Sequence, residues 1–336
     1  MNYRKLGKTG LLVSEIGFGG IPLQRITPEE AVSVVREALR LGINFFDSAR
    51  GYTDSEEKLG RAMRGMIARR EVILATKSGV LTKEEMKRDV EISLRKFETD
   101  YIDLYQLHNM RGEEKIARIF APGGAWEGLK EAQEEGRVRF VGITGHIPSQ
   151  LLELLKEKSF DTVQFPFNTV EQEALPELLP YAQEHDIGTI VMKPLAGGAL
   201  GRPATALKYI LQHQFSTAIP GMKSLAEVRE NAAASGAALG EWEEGKLREE
   251  KELLGPRFCR RCDYCQPCPQ GIDIPSLLTL QRYSERYDLH DWALERYRLQ
   301  QAKAGDCLEC GECEEKCPYD LPIRELLKSC CQCFGE

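Results

Sequence analysis

Val72-Ile-Leu-Ala-Thr-Lys77, Thr82-Lys-Glu-Glu-Met-Lys-Arg-Asp-Val-Glu-Ile-Ser-Leu94 and Ile102-Asp-Leu-Tyr-Gln-Leu-His108 follow one another in a single stretch of the chain. The outer segments read as strands. The middle one reads as an amphipathic helix, with Met86, Val90 and Leu94 on one face and Thr82 as a good N-cap. Working outward, the same alternation repeats with short connections. Candidate strands begin at Ile16-Gly-Phe-Gly, Asn44-Phe-Phe-Asp47, Phe140-Val-Gly-Ile-Thr144, Thr162-Val-Gln-Phe165, Thr189-Ile-Val-Met192 and Ala218-Ile-Pro220, after a hairpin-like opening at Lys5-Leu-Gly-Lys-Thr-Gly10. Eight strand–helix units in about 240 residues predict the α/β class and a closed (β/α)8 TIM barrel. The competing open, doubly wound sheet would want a Gly-x-Gly-x-x-Gly turn in its first unit. Gly17-Phe-Gly-Gly20 is too short and too early for one.

A charged helix from Glu241 to Leu254 leads to Gly255-Pro256, the expected domain boundary. Residues 1–254 are thus expected to form the barrel and 255–336 a second, mainly helical domain. In that second part lie two cysteine runs that rhyme: Cys259, Cys262, Cys265 and Cys268-Pro269, then Cys307, Cys310, Cys313 and Cys317-Pro318. Apolar residues recur at matching offsets beyond each run, Ile272, Ile274, Leu277 and Leu278 against Leu321, Ile323, Leu326 and Leu327, which marks an internal repeat. Between the runs, Leu277, Leu280, Tyr283, Tyr287, Trp292, Leu294 and Tyr297 suggest helices packed against the cysteine loops.

The runs resemble those of two-cluster bacterial ferredoxins, in which the fourth cysteine of each run ligates the other cluster. The resemblance implies two [4Fe–4S] clusters, one held by Cys259, Cys262, Cys265 and Cys317, the other by Cys307, Cys310, Cys313 and Cys268. The first run departs from the ferredoxin pattern, with two residues rather than three before Cys268. Zinc is the competing reading, since thiolate quartets also suit it, although zinc sites usually pair two Cys-x-x-Cys knuckles across a gap. Disulfides would need an oxidising compartment, and Met1-Asn-Tyr-Arg-Lys gives no sign of a secretory signal. Cys330, Cys331 and Cys333 read as spare thiols near the end of the chain.

The charged fraction of 29% and apolar fraction of 42% are ordinary for a globular protein. A net charge of -7 and the lack of a basic, aromatic-laced stretch argue against a nucleic-acid partner. No apolar run is long enough for a membrane helix. Abundant reduced-looking cysteines point to the cytoplasm.

A barrel enzyme carries its chemistry at the C-terminal ends of its strands. Those positions hold Asp47, Tyr52 in the loop beyond it, Lys77 and His108. Taken singly, each has a plainer reading: a helix cap, a loop filler, a solvated lysine, a strand-end histidine. Taken together with Tyr3-Arg-Lys-Leu-Gly-Lys-Thr-Gly-Leu, Phe46-Asp-Ser-Ala-Arg-Gly-Tyr52, Thr76-Lys77 and Leu107-His108, they give a chain that resembles the aldo-keto reductases over about residues 1 to 250. The fused tail is similar to that of the iron–sulfur branch of that family.

The resemblance implies hydride transfer between NAD(P)H and a small carbonyl or alcohol. Tyr52 would be the general acid/base, Lys77 would favour its phenolate, Asp47 would orient the lysine, and His108 would donate to the carbonyl oxygen. It places cofactor contacts at Gly20, Thr144, Gln164, Met192, Pro194, Leu195, Lys223, Ser224, Glu227 and Asn231. Three of these depart from the family: Thr144-Gly145 stands where Ser-Asn is common, Met192 where many members stack a tyrosine, and Glu227 in place of an arginine. Glu227 stands where an arginine clamps the 2′-phosphate of NADP, and Lys223 offers a point charge instead, so the choice between NAD and NADP stays open. A redox protein partner is a further expectation, and a non-enzymatic nicotinamide-binding sensor or electron-transfer adaptor is the alternative function.

Overall fold

A computed structural model describes residues 1–65, 68–254, 257–261, 264–317 and 319–336. Among the described residues the strands are β1 Tyr3–Lys5, β2 Leu12–Ser14, β3 Phe18–Gly19, β4 Phe45–Asp47, β5 Ile73–Ser78, β6 Ile102–Leu107, β7 Val138–Thr144, β8 Thr162–Pro166, β9 Gly188–Met192 and β10 Thr217–Ala218. The helices of the first part are α1 Pro28–Arg40, α2 Ser55–Met63, α3 Lys83–Phe97, α4 Glu113–Phe120, α5 Ala125–Glu134, α6 Pro148–Glu157, α7 Leu178–Glu184, α8 Pro203–Leu211 and α9 Leu225–Ala232. Those of the second are α10 Glu241–Leu254, α11 Ile274–Tyr287, α12 His290–Arg298, α13 Glu312–Glu315 and α14 Ile323–Phe334.

Strands β3 to β10 form one parallel sheet in sequential order. The sheet curls until its ends meet. Ile16 bridges Ala218 and Gly19 bridges Gly221, both parallel, and the Gly17 and Gly19 amides donate to the Ala218 and Pro220 carbonyls at 2.8 and 2.9 Å. A Cβ on Gly19 would lie 2.8 Å from the Ile219 carbonyl oxygen, so this seam requires glycine. The eight-stranded barrel expected from the sequence is the observed fold, with most strand ends within a residue or two of the expected limits. Helix α3 is N-capped by Thr82, whose hydroxyl accepts from the Glu85 amide while Glu85 reaches back to Thr82, a capping box worth about 1 kcal/mol. Its buried stripe is Met86, Val90, Ser93 and Phe97, and Leu94 is only half-buried.

The hairpin β1–β2 closes the end of the barrel opposite the strand C-termini. Leu6 and Val13 pack in one apolar cluster with Phe45, Ile73, Leu104 and Ile190. Arg4 fastens the hairpin by donating to the carbonyls of Leu211, His213 and Phe215 at 2.8–2.9 Å and pairing with Glu15. With one end sealed by side chains, the other is left for chemistry.

The chain divides into two compact units, residues 1–168, 172–194 and 202–240, and residues 169–171, 195–201 and 241–336. The break falls at 240/241, so α10 groups with the second unit; Gly255-Pro256 lie outside the described residues. Helices α11 and α14 each start six residues beyond the last cysteine of a run, at Ile274 and Ile323. Ile272, Ile274, Leu277 and Leu278 are buried, as are Leu321, Ile323 and Leu327, so the sequence repeat is also a repeat of buried positions. Tyr297 and Leu280 join this core, with Tyr283, Trp292 and Leu294 packed against it. The second unit is helical, as expected. Among the described residues no helix is long and apolar enough to cross a membrane.

Candidate active site and cysteine loops

At the C-terminal ends of β4, β5 and β6 the sheet register brings three polar residues into one buried group. Lys77 Nζ lies 2.5 Å from Asp47 Oδ1 and donates to the Ser48 carbonyl at 2.7 Å. Both members of the pair are almost fully buried, at 1% and 2% exposure. Burial pushes the Asp47 carboxyl up and the Lys77 ammonium down from their usual ranges, while their mutual attraction opposes both shifts. Gln106, on the neighbouring strand, donates to Asp47 Oδ2 at 3.3 Å, and the Gln164 side chain also bonds this carboxylate. Asp47 is thereby held on both oxygens.

Tyr52 comes from the loop between β4 and α2. Lys77 Nζ lies 5.1 Å from its ring centre, and the His108 ring meets it edge-on at 6.3 Å. Asp47, Tyr52, Lys77 and His108 therefore converge, although they are spread over sixty residues of sequence. Burial, then the nearby ammonium groups of Lys77, Lys115 and Lys193, lower the His108 pKa to about 3. The imidazole is neutral at physiological pH and retains one N–H to donate.

Next to His108 stands Asn109, which the sequence reading did not single out. Its backbone is left-handed (φ 55°), a conformation asparagine tolerates, and its amide donates to Thr144 Oγ1 at 3.0 Å. Its Oδ1 is buried without a hydrogen-bond partner, and so is Gln164 Oε1. Two unused buried acceptors beside the Tyr52 group are costly unless a donor fills them. Lys115 Nζ ties this turn by donating to the carbonyls of His108 and Asn109 at 3.1 and 2.9 Å.

The remaining expected cofactor residues are placed as follows. Thr144 is buried and engaged by Asn109 and Met110. Met192 packs onto the apolar cluster inside the barrel, Pro194 is buried in the same unit, and Leu195 falls in the second unit. Gly20 has a packing requirement of its own, because a Cβ there would lie 2.7 Å from Ser55 Oγ and 2.9 Å from the Asp47 carbonyl oxygen. Lys223, Ser224, Glu227 and Asn231 gather at α9. Ser224 and Glu227 form a capping box, and Glu227 Oε2 accepts from the Lys223 and Ser224 amides at 2.6 and 3.1 Å. Asn231 is buried with its Oδ1 unpartnered.

In the second unit, one cavity is lined by Cys265, Cys268, Cys307, Cys310 and Cys313, and another by Cys259, Cys265 and Cys317. Cys262 lies outside the described residues. All ten described cysteines are free thiols, so none of the described cysteines forms a disulfide. Among the described residues no three metal-ligating side chains converge on one point as a single ion would need; the sulfurs are spread around cavity walls. Cys330, Cys331 and Cys333 sit on α14, with Cys330 fully buried.

Comparison with known proteins adds to this geometry. The model of the Aldo/keto reductase family matches residues 15–204, and that of the 4Fe-4S dicluster domain matches residues 258–322. L-galactose dehydrogenase of Arabidopsis thaliana is 31% identical over 282 residues, spanning 69% of this chain and 87% of the relative. The NADH-specific methylglyoxal reductase of Escherichia coli is 27% identical, over 58% of this chain and 68% of the relative. Among solved structures, the holo form of an aldo-keto reductase from Bacillus halodurans superposes with a TM-score of 0.65 at 29% identity, over 74% of this chain and 96% of that one. An aldo-keto reductase from Klebsiella pneumoniae in complex with NADPH gives 0.63 at 25% identity, over 74% and 95%.

Proposed function

Because this chain belongs to the aldo/keto reductase family and carries a 4Fe-4S dicluster domain, we propose that it interconverts a small carbonyl compound and its alcohol by NAD(P)H-dependent hydride transfer. The convergence of Asp47, Tyr52, Lys77 and His108 at the strand ends carries this reading. Nicotinamide, when bound, supplies or accepts the hydride. The chain's own groups then manage the oxygen and its proton. His108, neutral, donates a hydrogen bond to the carbonyl oxygen as charge develops there. Tyr52 gives that oxygen its proton, and Lys77 steadies the phenolate left behind. Asp47, held by Gln106, keeps the lysine aimed. The test is turnover of simple aldehydes with NADH and with NADPH; no oxidation of either cofactor above background would overturn it.

The carboxamide of the nicotinamide fits the unpartnered acceptors Gln164 Oε1 and Asn109 Oδ1. Asn109 would thus supply the contact that the family's Ser-Asn provides and that Thr144-Gly145 lacks. Asn109→Ala is expected to raise the cofactor KM by about tenfold, the worth of one buried hydrogen bond of ~1.4 kcal/mol. An unchanged KM would remove Asn109 from the cofactor site.

At α9 the cofactor preference we propose is NADH. The Glu227 carboxylate already occupies the amides of Lys223 and Ser224, where a phosphate would otherwise bind, and its charge repels one. Glutamine keeps the capping box without the charge. Glu227→Gln is therefore expected to raise kcat/KM for NADPH by about tenfold relative to NADH, ~1.4 kcal/mol, and no change in the ratio would refute the preference.

In the second unit we propose two [4Fe–4S] clusters, held by Cys259, Cys262, Cys265 and Cys317, and by Cys268, Cys307, Cys310 and Cys313. Cys268 sharing a cavity with the second run, and Cys317 with the first, supports this crossed assignment. Such clusters supply one-electron storage.

A further inference from the structure

The two cysteine runs carry opposite charge. Arg257, Arg260 and Arg261 surround the first, with Asp263 the one acid within it. Asp306, Glu309, Glu312, Glu314 and Glu315 surround the second, with Lys316 the one base.

The structure gives this asymmetry a depth. Arg261 is 5% exposed and pairs with Glu171, itself 1% exposed. Arg282 arrives from α11 and donates to the Cys259 carbonyl at 3.2 Å and the Leu278 carbonyl at 3.3 Å. Both guanidinium groups face the Phe258 ring, at 4.7 Å for Arg282 and 6.0 Å for Arg261. Arg260 lies over the Tyr319 ring at 3.9 Å, and both line the cavity of Cys259, Cys265 and Cys317. Around the second run the acids face water. Glu309 and Glu312 are exposed, Glu309 pairs with Lys328, and Glu314 pairs with Arg324.

Two guanidinium groups and one carboxylate, Glu171, share this corner, which leaves it one net positive charge that a further anion offsets. A cubane bound by four thiolates is such an anion, and it gains one more negative charge on reduction. A charge away from water acts through an effective dielectric about fourfold below that of water, so the net positive charge of this corner outweighs the acids of the other run, which face water and pair with Lys328 and Arg324.

We propose that Arg282, together with Arg261, raises the reduction potential of the cluster at Cys259, Cys265 and Cys317 above that of the cluster at Cys307, Cys310 and Cys313. The first electron entering this unit from a low-potential one-electron donor then rests beside Arg282. No bond is made or broken, and no proton moves. The inference rests on the two-cluster reading above.

The test uses the full chain, purified anaerobically, poised with dithionite over a series of potentials and read by electron paramagnetic resonance, with iron and sulfide counted on the same sample. Two midpoints are expected. Arg282→Gln lowers the upper one and leaves the lower in place, and Arg282→Lys holds the upper near its original value. Glu171→Gln, which unmasks Arg261, raises the upper midpoint and decides the matter if Arg282→Gln loses iron. Full iron content with both midpoints unmoved, or with both moved equally, overturns the inference alone. Iron for a single cluster in the unaltered protein overturns the two-cluster reading instead.

Discussion

Tyr52→Phe is expected to lower carbonyl turnover by about 10²–10⁴-fold, the usual worth of a positioned general acid. Phenylalanine keeps the ring that Lys77 approaches at 5.1 Å and His108 at 6.3 Å, so the change removes one hydroxyl and little else. The expected loss lies in kcat, with binding of the nicotinamide, read by fluorescence, unaltered. Asp47→Asn or Lys77→Met would be poorer tests. Each leaves half of a buried ion pair, at a cost of about 3–5 kcal/mol in stability, and confuses folding with chemistry. A Tyr52→Phe protein that turns over aldehydes at the original rate would remove Tyr52 from the mechanism.

The pH profile adds an independent check. With the His108 pKa held at about 3, the imidazole stays neutral between about pH 5 and 8, so kcat should show no limb near the ordinary histidine pKa of about 6.5. The sign for stability follows from the same depression. Below the unfolded pKa of about 6.5 the unfolded chain binds a proton that folded His108 refuses, so this contribution is full above that pH and lost as pH falls toward 3. A kcat limb near 6.5 that disappears in His108→Gln would contradict the neutral imidazole.

Cys313→Ser is the second large effect. Cys313 is 8% exposed on the wall of the cavity it shares with Cys268, Cys307 and Cys310, and burial raises its thiol pKa to about 11. Serine removes one of four thiolates, and the protein is expected to keep half of its iron, measured against protein concentration. Cys330→Ser, on α14, is expected to keep all of it. Equal iron in both variants would overturn the ligand assignment.

Much of this was legible in the sequence. The barrel strands are apolar runs whose limits follow from composition, and the cysteine spacing is set by the geometry of a loop wrapping a cluster. The strand-end positions of Asp47, Lys77 and His108 could be read because the strands themselves could. The capping role of Glu227 is legible too, since Ser224-x-x-Glu227 is a capping-box pattern, although the same residue stands at the family's phosphate-binding arginine position. Gly20 was read as a cofactor contact, and its close neighbours give it a reason of another kind. Other contacts leave no sequence signal. Gln106 reaches Asp47 through strand register, Asn109 matters because its backbone turns left-handed, and Arg282 meets Cys259 across 23 residues through the direction of a helix.

The seam of the barrel also governs the order in which the protein can be made. Arg4 bonds Phe215 across 211 residues, and Thr217 bonds Ser14 across 203. These pairings join the two ends of the barrel's sequence, as does that of Asn2 with Ser235 across 233 residues, and closing such loops must precede any return from the contacts they bring. During synthesis, β3 to β9 emerge from the ribosome with an open parallel edge that has no partner until the segment around Thr217 follows. Residues 241–336, which hold all eleven cysteines, begin to emerge only once the seam can close.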